Sequence, residues 1–239
     1  MPRVYIHEVV EVDGTRRADY QHHMTANWVP ESAAVRRQRC FGVFTLVGST
    51  GPWPRVVNLW EYDSWEDLAH NFSHELGTPG HRDPALARWW AAAASFRKGG
   101  HDRILVEHPS NPGVQHWESR GGTAAAAYLH EVFTTPVGGA LRLAEELAGG
   151  AVEAMSRWAI EPVGLWHTAM RGDDEVVALW RVPDWDSWSA HEGASASGGG
   201  YQPDGITGRQ RWLLVDAQLS PLRTGRQPTE ADRRPLSRE

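Results

Sequence analysis

A β-branched run that ends in tryptophan, then an Asp or Ser, then a helix-forming stretch occurs twice along this chain. The first copy is Val56-Val57-Asn58-Leu59-Trp60, continued by Asp63-Ser64-Trp65; the second is Val176-Val177-Ala178-Leu179-Trp180, continued by Asp184-Trp185, at a spacing of 120 residues. Each run reads as a strand, and the Asp or Ser as the cap of the helix after it. A unit that recurs at this distance signals duplication. Other elements fall into register with it. The first strand, residues 4–12, carries His7-Glu8; residues 128–133 carry His130-Glu131, at a spacing of 123. Helical stretches follow at 15–28, with Pro30 as a break and more helix towards Gln38, and at 138–158. Second strands come at 41–47 and 164–169. A helix at 85–96, capped by Asp83-Pro84, follows the first Trp strand, whereas the matching region of the second half is Gly-rich. Strands at 103–107 and 211–215 end the halves.

Each half thus reads β-α-β-β-α-β, the ferredoxin-like arrangement, with helices on one face of a four-stranded antiparallel sheet. The other face is apolar and needs a cover. Two copies in one chain predict an α+β fold in which the two bare faces pack on each other, an intramolecular dimeric α/β barrel. The expected boundaries are 1–108 for the first half, 109–123 for a Pro/Ser/Asn/Gly linker and 124–222 for the second half. Residues 223–239, almost without apolar side chains, are expected to be disordered.

Composition narrows the function. The chain has 239 residues, 41% hydrophobic and 23% charged, the balance of a globular protein. A formal charge of −6 offers no basic footprint for nucleic acid. No apolar run approaches a membrane span, the N-terminus lacks the pattern of a signal peptide, and one cysteine, Cys40, excludes an internal disulfide framework. A cytoplasmic location, as a monomeric pseudo-dimer or a homodimer, is the expectation. Thirteen Trp against five Phe and five Tyr is an unusual stock of aromatic surface, suited to cores and to pockets for flat apolar ligands.

The pattern of residues 5–12 leading to Asp13-Gly14, of Leu59-Trp60-Glu61-Tyr62-Asp63-Ser64, and of Asp83-Pro84 before Trp89-Trp90 resembles the NIPSNAP family of the dimeric α/β-barrel superfamily. The resemblance covers residues 3–108 and 126–220. It implies the barrel fold. The NIPSNAP family mostly lacks an assigned reaction. The wider superfamily includes cofactor-free monooxygenases, polyketide cyclases, dehydratases and haem proteins.

Strand parity places Tyr5, His7 and Val9 on one face of the first strand and Val4, Ile6, Glu8, Val10 and Val12 on the other. Glu8 among Val and Ile would have a raised pKa and could act as acid or base; paired or at an exposed strand end, it would be structural. His7 and His130, present in both copies, are either pocket walls or structural residues. Tyr20, His23, Asn27 and Trp28 fall on one stripe of a straight helix, polar fittings for an otherwise apolar pocket that the second half lacks. The same stripe could be a helix edge open to water. His70 and His74 stand at metal-binding spacing but on the outer face, with no third ligand, so no metal is expected. His167 beside Trp166, His191 and His130 form a cluster only if all point inward.

The expected function is a small-molecule enzyme without organic cofactor, of cyclase, dehydratase/isomerase or monooxygenase type, acting on an apolar aromatic or polycyclic compound. Its catalytic candidates are His7, His23 and Glu8; Tyr20, Asn27, Trp28, Asn58, Trp60, His130 and His167 would bind substrate. Two alternatives stand beside it: a haem protein, with His23 or His191 as the axial ligand, and a non-catalytic binding protein.

Overall fold

Eight strands close into one antiparallel barrel. In chain order they are β1 (Val4–Val12), β2 (Arg39–Leu46), β3 (Arg55–Tyr62), β4 (Arg97–Glu107), β5 (Ala127–Thr134), β6 (Glu161–Thr168), β7 (Glu175–Val182) and β8 (Gly208–Asp216). Around the barrel they run β1-β3-β2-β8-β5-β7-β6-β4. The order β4-β1-β3-β2 of the first half recurs as β8-β5-β7-β6 in the second, and the seams are the pairings β2–β8 and β4–β6. The computed structural model describes residues 1–77 and 84–236.

Alternation along the strands divides the core into three. Inside the barrel, Tyr5, Phe41, Phe44 and Leu59 of the first half meet Tyr128, Trp166, Leu179 and Trp212 of the second. Both halves therefore hide their bare sheet faces in one shared interior, and closure leaves no free sheet edge. The opposite faces carry one helical layer each. Val4, Val10, Val56 and Trp60 pack under Tyr20, Met24, Trp28 and Trp89; Leu129, Phe133, Val176 and Trp180 pack under Leu143, Leu147 and Met155.

The helices start where the sequence caps them. Ser64 accepts from the Asp67 amide at the head of α3 (Trp65–Leu76), and Asp184 accepts from the Ser187 amide at the head of α8 (Trp185–Ala196). The first helix departs from a straight rod. α1 (Arg17–His22) and α2 (Trp28–Val35) are joined by a π-helical turn, His23–Asn27. The second half repeats it: α6 (Ala140–Glu146) and α7 (Val152–Ser156) flank the π-helical turn Leu147–Ala151. The interruption thus falls before Pro30, which sits in the first turn of α2, where a missing N–H is tolerated. In the first half α4 (Pro84–Ala94) follows α3.

Two segments differ from expectation. The linker, 109–123, contains α5 (Val114–Ser119), whose Val114 and Trp117 plug the barrel interior; the Val114 amide donates to Glu61 at 2.9 Å. The tail after Leu222, expected to be disordered over 223–239, is folded over 223–236; residues 237–239 lie outside the described residues. It forms α9 (Pro221–Thr224), and Gln227 then bonds both the amide and the carbonyl of Cys40, as a paired strand would. Arg226 pairs with Asp232, and Arg233 with Glu31. Composition misses this because most of the tail's anchors are hydrogen bonds and ion pairs, with only Pro228 and Leu236 adding apolar contact. Among the described residues, no helix is long and apolar enough to cross a membrane.

Candidate functional site

The repeated Glu has opposite surroundings in the two halves. In the second half Glu131 accepts from Trp180 Nε1 at 2.9 Å, from Arg209 at 2.6 Å and from Arg211 at 3.1 Å. It is a buried carboxylate with two guanidinium partners. In the first half Trp60 Nε1 donates to Glu8 Oε2 at 2.8 Å, the counterpart of the Trp180 bond. No arginine follows. The β8 residue opposite Glu131 is Arg211, whereas the β4 residue opposite Glu8 is Asp102; Arg209 is matched by Gly100. On the other side Ala178 faces Glu131, but Asn58 faces Glu8 and donates to its Oε2 at 2.8 Å. The same Asn58 amide reaches the Tyr20 hydroxyl at 3.0 Å.

Glu8 is therefore a carboxyl group held by two neutral donors and faced by a second carboxyl. Burial first, and then the Asp102 charge, push its pKa up, against a smaller opposing pull from Arg97. Burial raises Asp102 as well, again opposed by Arg97. Both donors converge on Oε2, which leaves Oε1 as the oxygen free to carry and exchange a proton.

Glu8 lines a cavity of about 240 Å³ between sheet and helices. Met24, Trp28, Trp60, Phe72 and Trp89 form its walls, with Trp28 and Trp89 packed at 4.1 Å. Asp102 and Arg97 lie at the Glu8 end. Near the other end Arg36 stacks on Trp28 at 4.5 Å and pairs with Glu75 at 3.1 Å, while Gln38 bridges the Trp28 indole and the Tyr62 hydroxyl. Arg36 Nη2, Asn71 Oδ1 and Trp89 Nε1 belong to lining residues and are buried without a partner among the described residues. Unpaired buried polar groups are costly, and these three belong to side chains that line the cavity.

Of the residues read from the sequence, Glu8, Trp28 and Trp60 line this cavity, and Asn58 and Tyr20 lie buried behind Glu8, joined to it by hydrogen bonds. The others lie elsewhere. His7 and His130 point into the barrel, on the opposite face of the sheet from Glu8, with Nε2 atoms 2.9 Å apart. Odd positions of β1 face inward, so His7 cannot share a pocket with Glu8. His23 is buried flat against Trp89, 5.1 Å between rings; its Nε2 donates to the Trp89 carbonyl and its Nδ1 accepts from Asn27, so both candidates are occupied with each other. His167 faces outward on the second half, since Trp166 beside it turns into the barrel. His70 is exposed, and among the described residues no group of metal-ligating side chains occurs.

Asp102, Arg97 and Arg36 were not anticipated. The similar strands at 103–107 and 211–215 set Arg103 against Arg211 in sequence, and only the strand register puts Asp102 in the place of Arg211. Residues 97–102 also show no apolar alternation, so the strand appeared to begin at Arg103 when it begins at Arg97. A haem would need an axial imidazole at a cavity wall. No described histidine lines this cavity, so its residues do not fit that group.

No protein-family model matches the chain, and no curated protein matches it in sequence. Solved structures do. A candidate monooxygenase from Fusobacterium nucleatum is 12% identical over 91% of this chain and 93% of its own, with a TM-score of 0.55. A second, from Lactobacillus acidophilus, is 8% identical over 96% and 97%, also at 0.55. A NIPSNAP-like domain protein from Burkholderia xenovorans is 21% identical over 46% of this chain and 89% of its own, at 0.35. What the chain shares with the first two is the fold, a barrel of eight antiparallel strands with helices outside it.

Proposed function

We propose that the protein is a small-molecule enzyme of acid–base type, with Glu8 as its proton-transferring group. The observation that carries this is the exchange of Arg211 for Asp102 opposite the duplicated Glu, in the half where that Glu lines a cavity. One carboxylate is locked by guanidinium groups; its twin is released into a pocket with a raised pKa, the disposition of a general acid or base. Asn58 and Trp60 orient it and would stabilise the carboxylate left after proton donation, and Arg97 would add charge to the same end. Tyr20 positions Asn58.

The walls call for a flat apolar substrate. The volume lies below the roughly 300–1,000 Å³ of drug-sized sites, which points to a compound of one or two fused rings. Enolisation, isomerisation or dehydration beside a carbonyl group suits a single carboxyl acid/base without a further reagent. The two neighbours described as candidate monooxygenases are compatible with small-molecule chemistry on this fold, and the repeated strand order supports two ferredoxin-like halves fused in one chain.

The experiment is exchange of the α-protons of 1-tetralone, a bicyclic aryl ketone, in D2O, followed by proton NMR. Wild type should accelerate exchange, and Glu8→Gln should slow it by roughly 100-fold or more while still quenching tryptophan fluorescence on ligand binding. Equal rates for both would remove Glu8 from the chemistry. Binding without exchange in either would make this a binding protein.

A further inference from the structure

We propose that the C-terminal strap, residues 226–236, ends in a pH-sensitive latch: residues 233–236 are held on the first half's helices by neutral His22 and released when that ring takes a second proton. The base of the strap is fixed by Gln227 on Cys40 and by the Arg226–Asp232 pair. Beyond Asp232 the anchors are weaker. Arg233 pairs with Glu31 at 2.9 Å, but these side chains are 35% and 51% exposed, and such pairs contribute little. Leu236 packs on the core that holds Trp28 and Trp89. Between the two lies the contact with His22 of α1. The Arg234 backbone N–H donates to His22 Nε2 at 3.2 Å, and Arg234 Nε lies 3.4 Å from His22 Nδ1.

That contact suits only one charge state. The His22 ring is buried, and both of its nitrogens face donors of Arg234. A neutral imidazole has one nitrogen that accepts, whichever tautomer it adopts; an imidazolium has none. Protonation removes the acceptor and sets a cation against a guanidinium. Burial first, and then the Arg234 charge, hold the His22 pKa below its ordinary value while the strap is closed. Release returns the ring towards 6.5, so closure is complete above that pH and weakens as pH falls below it. The other charged groups around the ring are Asp19, one turn back on α1, and Asp232 at the base of the strap. Both ease the addition of the proton, and neither restores the acceptor that Arg234 loses. His23, next in the chain, is turned to Trp89.

The latch closes two spaces. A cavity of about 370 Å³ lies between α1, the loop after β8 and the strap, with Gln21, Thr25, Leu219 and Arg234 in its wall. A second, of about 180 Å³, is lined by Arg233 and Trp89, and Trp89 is also a wall of the Glu8 cavity. Release of residues 233–236 takes a wall from both. The latch is read from the strap alone and stands whether or not Glu8 transfers protons.

The test is 15N relaxation of the full chain at pH 7.5 and 5.0, with the His22 ring titrated in the same sample. At pH 7.5 the amides of Arg233, Arg234 and Leu236 should have order parameters of about 0.85, the rigid value. At pH 5.0 they should fall below about 0.6, with the midpoint of the His22 ring, while the amides of β1 and β5 stay rigid. His22→Gln keeps an acceptor that does not titrate, so its strap should stay ordered at pH 5.0; the wild-type midpoint decides should the glutamine not reach Arg234. His22→Leu has no acceptor, and its strap should be mobile at both pH values. The proposal is overturned by a wild-type strap that stays ordered after His22 has titrated, or by an ordered strap in His22→Leu at pH 7.5. It is overturned equally by the wild-type midpoint recurring in His22→Gln, which would assign release to carboxylates such as Asp232 and Glu31.

Discussion

At the scale of single residues, the two buried glutamates make opposite predictions for stability. Glu131 balances Arg209 and Arg211, whose side chains are 15% and 27% exposed. Removing a fully buried partner costs about 3–5 kcal/mol; with the guanidinium groups partly hydrated, Glu131→Gln should cost roughly 2–3 kcal/mol, or about 5–10 °C in Tm. Glu8 behaves in the other sense. Its folded pKa is raised above the unfolded value, so its contribution is present below pH 4.5 and is lost as pH rises through the folded pKa. Glu8→Gln, which cannot ionise, should therefore match wild type in Tm near pH 4 and exceed it at pH 8. A stability gain at alkaline pH together with loss of proton exchange is the trade expected of a functional carboxyl. Asp102→Arg, which recreates the second-half arrangement, should lower the pKa seen in the pH–rate profile and erase that gain. A Glu8→Gln variant less stable than wild type at pH 8 would mark Glu8 as a structural residue.

At the scale of elements, the sequence was most legible where local chemistry decides. The Val-Val-x-Leu-Trp strands and the Ser64 and Asp184 caps were readable because period-two alternation and capping depend on neighbours a few residues away. Ser64→Ala and Asp184→Ala should each cost about 1 kcal/mol, measured by urea unfolding. The stripe of Tyr20, His23, Asn27 and Trp28 was drawn on a straight helix. The π-helical turn His23–Asn27 breaks the 3.6-residue period, so Tyr20 and Trp28 stay over the sheet while Asn27 ends at the edge, bonded to His23. Nothing in single-residue propensities announces such a turn, although its recurrence at Leu147–Ala151 shows that it belongs to the duplicated unit. The tail was illegible for a related reason. Its anchors are long-range polar contacts, Gln227 to Cys40 above all, and these follow from the closed barrel rather than from the tail's own composition.

At the scale of the whole molecule, the halves meet at a pair of histidines that no local rule could place. His7 and His130 are duplicates of one another, and closure of the barrel brings their Nε2 atoms to 2.9 Å with rings 5.1 Å apart and nearly parallel. One must donate and the other accept, so the neutral pair occupies different tautomers, and both Nδ1 atoms are buried without a hydrogen-bond partner among the described residues. Burial lowers both pKa values, His130 to about 3, and Arg103 pushes both the same way. The unfolded chain titrates near 6.5, so it binds protons that the folded barrel refuses. Stability from this pair is complete above that pH and declines as pH falls below it towards the folded values. Between pH 7.5 and 5.5, with both rings neutral in the folded barrel, the pair should cost on the order of 3 kcal/mol of unfolding free energy, before most carboxylates titrate. His22, His23, His101 and His167 are shifted downward too and should leave a shallower slope of their own. Urea unfolding at pH 7.5, 6.5 and 5.5 checks this. The double variant His7→Leu with His130→Phe, the latter kept stacked on Trp212, should lose most of the dependence, and His130→Phe alone about half of the pair's share. Wild-type stability that is flat across this window would mean that water or a charge partner compensates the pair inside the barrel, and that its place at the seam is packing alone.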